Sequence, residues 1–460
     1  MATPMNQPAT ASAANDSQPA LVSQRHAWYA VVVLMLCYTL SFIDRQILSQ
    51  LVPFIKRDLG LSDTRIALLQ GLTFAIFYTF MGLPLGRMVD TLNRRNIIAS
   101  GIFVWSIFTA ACSAARTFTT LFLARIGVGV GEAALNPAAF STIADYLPKE
   151  RLGIGLSVFY MGVYLGSGLS FLIGGLVLDS VAHIPSVTVP ILGTIASWRL
   201  TFLVVGIPGL LFSLLVLTIR EPVRRGLARN REGQVTRIST AQAIVEMRQR
   251  WKSLAGISIA MVFQSGCNYG LLFWTPSFFQ RVYHWTPGQS GRALALIVAL
   301  FGCAGQVFGG WLCDRWQKSG LREAALKVSM LSCIATLVLM VPAFLAPTPW
   351  LSVALMGPAF FALSWSMGPA PAALQVIFPN QVRGLVSALY IFILNIGGLT
   401  LGPLLPGVFN DYLFHDEHML GASMALWIGM ASVSMLVLFR ATYQPYRVDY
   451  DRMQAASAQA

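Results

Sequence analysis

Residues 121–148 read LFLARIGVGVGEAALNPAAFSTIADYLP, and this stretch decides the fold. It opens as an apolar run long enough to cross a bilayer, since about 20 residues at 1.5 Å rise suffice. Within the run stand Arg125 and Glu132, separated by two helical turns. That spacing puts both side chains on one stripe, about 10 Å apart. Each costs about 2.5–3.5 kcal/mol at the centre of an inserted helix, so neither is expected to face lipid. Gly127, Gly129 and Gly131 strip the opposite side, which lets a neighbouring helix come close. A charged stripe backed by glycines reads as a polar pathway inside a helical bundle.

The whole chain has the composition of such a bundle. Of its 460 residues, 55% are hydrophobic and 11% charged, where a soluble domain carries about 25% charged residues. An all-α membrane protein is expected. The net charge of +13 falls in loops at membrane ends, so it signals topology and no nucleic-acid partner. Cys37, Cys112, Cys267, Cys303, Cys313 and Cys333 lie in or beside apolar runs without ligand spacing and read as small core hydrophobes. His415 and His418 with Asp411, Asp416 and Glu417 could hold a cation, but a solvated loop explains them. No phosphate loop, metal motif or nucleophile with a matching base occurs, so no cofactor, metal or enzymatic activity is expected.

Residues 1–24 lack both a basic and an apolar segment and are expected to form a disordered tail. Apolar spans follow near 28–50, 66–90, 96–115, 119–146, 153–178 and 199–219. Six more lie near 254–280, 290–313, 325–346, 350–377, 384–409 and 420–440. The reading is therefore two six-helix bundles, 25–219 and 254–441, joined by a basic loop, 220–253, and followed by a tail, 442–460. Lys and Arg cluster in alternate turns, at Arg87–Arg95, Lys149–Arg151, Arg220–Lys252, Arg315–Lys327 and Arg383. Both termini are accordingly expected in the cytoplasm. The central loop reads as a topology-setting linker on the inner leaflet, with anionic lipid as the alternative partner.

The two halves echo each other. Gly86-x-x-x-Asp90 closes the second span and Gly310-x-x-x-Asp314 the eighth, an offset of 224. Leu147-Pro148 with Gly153 after span 4 matches Phe378-Pro379 with Gly384 after span 10. Duplicated six-span halves are the pattern of secondary transporters, whose sites lie at the midplane between the halves.

The segment from Gly86 to Arg95, GRMVDTLNRR, resembles the loop signature of the major facilitator superfamily. In that reading Gly86 admits a helix of the other bundle, and Asp90 caps a helix N-terminus or pairs with an Arg. Arg94 and Arg95 complete the motif and also satisfy topology. Thr91 and Asn93 depart from the usual basic residue and glycine. Span 5, with Gly162, Gly166, Gly168, Gly174 and Gly175, resembles the glycine-rich antiporter span without its proline. Close packing is the expectation there, and antiport is left open.

Within the superfamily the chain resembles the spinster family. The resemblance rests on Tyr38–Arg45 (YTLSFIDR), Gly60–Gly71 (GLSDTRIALLQG), Arg125–Ala133 (RIGVGVGEA) and Ile143-Ala144-Asp145, about a third of the chain. It implies a proton-accepting Asp44 with Arg45, Arg125 and Glu132 as its network. On a helix Asp44 and Arg45 point about 100° apart. Arg45 is expected to reach Glu132 while Asp44 turns toward the cavity or Arg125. A carboxylate held by a cation only part of the time suits proton coupling, and a static ion cluster is the alternative.

The second half holds polar and aromatic groups in place of charge: Gln264, Asn268, Tyr269 and Trp274 on span 7, Gln306 on span 8, Trp365 and Met367 on span 10, and Asn395 on span 11. With Arg45, Arg125 and Asn136 these form the candidate substrate wall, suited to an amphiphile whose charged end lies toward the first half. The resemblance implies a proton-coupled, alternating-access carrier of a lysophospholipid or sphingoid-type lipid. A carrier of small organic or aromatic acids and a non-transporting sensor are the alternatives. A monomer in a bacterial inner membrane is expected.

Overall fold

The computed structural model of the chain describes residues 23–147, 149–181, 184, 186–189, 193–222 and 240–459. Residues 1–22 of the expected tail and 223–239 of the basic loop lie outside the described residues. Helical spans 1 to 6 are Gln24–Leu59, Asp63–Gln70 with Leu72–Thr91, Arg94–Cys112, Phe118–Glu132 with Leu135–Tyr146, Lys149–Val181, and Leu200–Val216. Spans 7 to 9 are Trp251–Val282, Pro287–Leu296 with Cys303–Lys318, and Ala324–Phe344. Spans 10 to 12 are Pro349–Leu363 with Pro369–Ile377, Asn380–Val408, and Leu420–Gln459. Among the described residues, eleven candidate spans are both long and apolar enough to cross a membrane. Span 7 completes the twelve. Its 32 residues reach about 48 Å, and Gln264, Asn268, Gln280 and Arg281 dilute its hydropathy.

The spans pack in matching patterns. Span 1 lies against span 5 as span 7 lies against span 11, and span 3 against span 6 as span 9 against span 12. Span 5 is glycine-rich because it is wedged between two partners. Gly162 and Gly166 press on span 1 at Met35 and Thr39, while Gly175 meets the Pro287 carbonyl of span 8. On span 4, Gly131 packs on Gly101 and Trp105 of span 3, and the ring of Phe108 covers Gly127. The glycine face thus supports the helix that carries Arg125 and Glu132.

Four spans are interrupted, and the interruptions pair across the duplication. Span 2 breaks at Gly71, whose missing side chain admits the Leu399 carbonyl of span 11. Its counterpart, span 8, widens into a π turn over Ile297–Gly302. Span 4 breaks at Ala133–Ala134, directly after Glu132. Span 10 tightens at Ser364–Ser366, just before Pro369. Broken spans near the middle of a bundle expose backbone groups to a central cavity, where transporters place their sites.

The two bundles meet tightly at the face opposite the chain termini, where span 5 touches span 8 and span 2 touches span 11. At the termini face the surroundings of Gly86 and Gly310 are open: among the described residues, a methyl group on either meets no atom within 4 Å.

Three boundaries differ from the sequence reading. Span 12 continues to Gln459 in place of a tail from 442, because its end docks on the bundle. Asp449 accepts a hydrogen bond from Ser253 at 2.6 Å, and Arg447 pairs with Glu323 at 2.6 Å. The basic loop holds a helix, Thr240–Gln249. The turn between spans 5 and 6 forms a hairpin, Ser186–Val189 against Gly193–Ala196, in a stretch rich in Val, Ile and Thr.

Candidate functional site

Among the buried charged residues of the first bundle are Asp44, Arg45, Arg125 and Glu132. Span 1 and span 4 bring two of them together. Arg45 Nε lies 2.5 Å from Glu132 Oε2, and the Ser41 hydroxyl donates to the same oxygen at 2.8 Å. Ser41 and Arg45 are four residues apart, one above the other on the helix face turned toward span 4. Three rings surround the guanidinium: Phe74 at 4.5 Å, Tyr78 at 4.8 Å and Phe42 at 5.0 Å from their centroids. Phe74 and Tyr78 share one face of span 2, again by a four-residue step. A desolvated cation over several rings gains about 2 kcal/mol or more, which offsets part of its burial.

Asp44 points the other way. Its carboxylate and the guanidinium of Arg125 are wholly buried, and neither makes a direct hydrogen bond to the described residues. Asp44 lies within electrostatic reach of Glu132 and Arg125 and beside the Thr109 hydroxyl. Two opposite charges buried close together without contact are in a costly arrangement, since breaking a buried pair costs about 3–5 kcal/mol. One change of rotamer or of protonation would relieve it. The site therefore combines a closed pair, Arg45–Glu132, with an open one, Asp44 and Arg125.

Around this charge centre lies a polar rim. Asn136 donates to the Tyr78 hydroxyl at 2.8 Å and stands 3.5 Å from that of Tyr38. From the second bundle Tyr269 packs on the cluster of Phe74, Ala75, Tyr78, Ala133 and Leu399. This cluster draws on both bundles and roofs the Arg45 site. Asn268, Trp365, Met367 and Asn395 are half-buried. Trp365 packs tilted on Phe308 and edge-on to Phe361, and its indole N–H makes no hydrogen bond to the described residues.

Two candidate wall residues are placed differently. Trp274 is fully buried and donates to the Pro403 carbonyl at 2.7 Å. Gln264 is buried and donates to the Leu363 carbonyl. The single Trp274 donor is thus spent on packing the second bundle, while Gln264 keeps a buried amide oxygen without a hydrogen bond to the described residues. Tyr38, Phe74, Tyr78 and Tyr164 were absent from the sequence-based site. Tyr164 bonds Gln306 across the two bundles.

The loop motif divides in two. Arg94 is fully buried within the first bundle, where it pairs with Asp145, bonds Glu221 at 2.7 Å and reaches the Pro222 carbonyl at 2.9 Å. The Arg95 amide donates to the other Glu221 oxygen at 3.2 Å. In this conformation the Arg94 side chain and the Arg95 amide hold Glu221 within the first bundle and, among the described residues, make no hydrogen bond or ion pair to the second bundle. The Asp90 side chain lies outside the described residues. Asp314 is exposed, and Gly86 and Gly310 face open space. Gly86→Leu is therefore expected to leave the folded state of this conformation intact and, on an alternating-access cycle in which the two bundles close over this surface, to stop turnover. Normal turnover in reconstituted Gly86→Leu would reduce the motif to a topology signal.

Residues 34–403 match the Major Facilitator Superfamily. The chain belongs to that superfamily and is a membrane transporter. It is 30% identical to an MFS-type efflux pump of Mycolicibacterium smegmatis over 90% of this chain and 91% of the relative. It is 27% identical to protein spinster homolog 1 of Xenopus tropicalis, covering 85% and 74%. A probable L-galactonate transporter of Escherichia coli is 25% identical, with 79% of each chain covered. The fold matches the crystal structure of a bacterial homolog to the human lysosomal transporter spinster, inward-facing and unoccupied. The TM-score is 0.75 at 24% identity, over 94% of this chain and 99% of that one. The chain thus resembles spinster proteins within the superfamily.

Proposed function

We propose that this transporter is a proton-coupled secondary carrier that moves an amphiphilic, lipid-like substrate of lysophospholipid or sphingoid type by alternating access. The carrying observation is the uneven distribution of charge between the two bundles. A ring-lined Arg45–Glu132 pair with an unpaired Asp44 and Arg125 stands in the first bundle. The candidate wall residues of the second bundle, Tyr269, Asn268, Trp365 and Asn395, are polar or aromatic and uncharged. A headgroup can exchange with the closed pair at one wall while the chain lies along the other. In exchanging, it frees Glu132 or Arg45 to act on Asp44, which links substrate to proton. The spinster relatives support this substrate class.

In this reading the chain lies in a bacterial inner membrane, and the positive-inside rule supports a cytoplasmic termini face. The open surfaces at Gly86 and Gly310 then make this the inward-open state. The carrier works as a monomer. A second reading, transport of a small sugar acid or other carboxylate on Arg45 or Arg125, is favoured by the L-galactonate relative. The test is proton movement into proteoliposomes on adding a lysolipid, beside the same measurement with small carboxylates. Flux evoked by lysolipid supports the proposal. Flux with carboxylates alone moves the substrate to the second reading, and binding without any flux makes the chain a sensor.

A further inference from the structure

At the closed face the bundles are joined by a feature that no motif announced. Asp411, at the end of span 11, accepts the backbone N–H of Asp63 at 3.3 Å and of Thr64 at 2.7 Å. These are the first two residues of span 2, in the other bundle. Asp179, at the end of span 5, accepts the backbone N–H of Gly288 at 3.1 Å and the Thr286 hydroxyl at 3.3 Å. Those residues open span 8, again in the other bundle. Span 5 corresponds to span 11 and span 2 to span 8, so one contact is the image of the other. The helix starts obey the same offset of 224 as the Gly-x-x-x-Asp motifs: Ser62 caps span 2 and Thr286 caps span 8.

We propose that the outer gate is this matched pair of cross-bundle helix caps, Asp411 on span 2 and Asp179 on span 8. The free N–H groups at a helix start attract a carboxylate through both hydrogen bonding and the helix dipole. Ser62 and Thr286 already hold Arg65 and Gln289 N–H in place, so neither helix needs the foreign Asp to keep its shape. What each Asp adds is adhesion between bundles. When the gate opens, water replaces the carboxylate, so the lock is tight enough to bias the equilibrium and weak enough to cycle.

The span 2 side is reinforced. The Asp63 carboxylate, fully buried, takes Arg281 at 2.6 and 2.9 Å, Lys56 at 3.0 Å and Asn410 at 2.8 Å. Arg281 and Asn410 belong to the second bundle, and Lys56 also holds Glu417 there at 2.9 Å. A π turn over Phe409–Phe414 presents Asn410 and Asp411 side by side, a distortion that re-aims side chains at functional sites. On the span 8 side Pro287 stands where Asp63 would, so that cap works alone.

The inference rests on the alternating-access reading, but its test needs neither substrate nor proton. Nitroxide labels at Arg116→Cys and Pro347→Cys, exposed outer-loop positions in opposite bundles, report the outer distance by pulsed electron resonance. Cys303→Ala removes the half-buried native thiol from the background. Loss of a cap shifts such an equilibrium about fivefold, so Asp179→Ala or Asp411→Ala raises the long-distance population by that factor, and the double variant by about twenty-five-fold. Asn keeps one acceptor oxygen and loses the other and the charge, so Asp179→Asn and Asp411→Asn open less than their Ala counterparts. Both partners are half-buried at the surface, and each single variant tests its own cap. A wild-type distance distribution in the double Ala variant overturns the proposal. So does an Asn variant that opens as far as its Ala counterpart.

Discussion

Asp44→Asn is expected to abolish uphill transport while leaving the protein folded and able to exchange substrate. On the proposed coupling, one pH unit across the membrane supports about tenfold accumulation for each proton carried. In the variant the accumulation ratio falls to about one, and substrate no longer evokes proton movement. Asn has the size of Asp and needs no cation. The Asp44 carboxylate makes no direct hydrogen bond to the described residues, so the substitution breaks none. Counterflow of labelled substrate, measured without a gradient, should persist. Undiminished accumulation in Asp44→Asn would move the coupling group to Glu132 or remove protons from the cycle.

Arg94→Ala has the second large effect, on stability. The guanidinium is fully buried and serves Asp145, Glu221, the Ser141 hydroxyl at 2.8 Å and the Pro222 carbonyl. Removing it leaves Asp145 and Glu221 without their shared cation inside the bundle, a loss of about 3–5 kcal/mol. The apparent Tm in detergent should fall by on the order of 10 °C. Arg94→Lys should recover only part of this, since one ammonium cannot serve partners on several sides. An unchanged Tm with impaired transport would return Arg94 to the gate.

The contrast between these residues shows what a sequence can carry. Span number and duplication follow from hydropathy and offset because lipid imposes a simple length rule. The Arg45–Glu132 contact follows from an adjacent Asp-Arg pair, whose members must diverge on a helix. Partners of Arg94 do not follow, since Glu221 lies more than a hundred residues away and outside any motif. The burial of Trp274 and Gln264 was hidden for a similar reason. Periodicity says which residues share a face, not which bundle wall that face meets. Helix breaks at Ala133–Ala134 and Ser364–Ser366 lie within apolar runs, where hydropathy averages them away. The cap at Asp411 needs a π turn that no local propensity announces.

The last helix has a mechanical consequence. At 40 residues it is about 60 Å long, twice the hydrocarbon thickness of a bilayer. Its end is tied to Ser253 on span 7 and to Glu323 beside span 9. The second bundle thus carries a stiff handle, built from its own chain and fastened at two further points. A reporter fused behind Gln459 would be mounted on a lever: a small rotation of that bundle would sweep it through a far larger arc than any cavity residue travels.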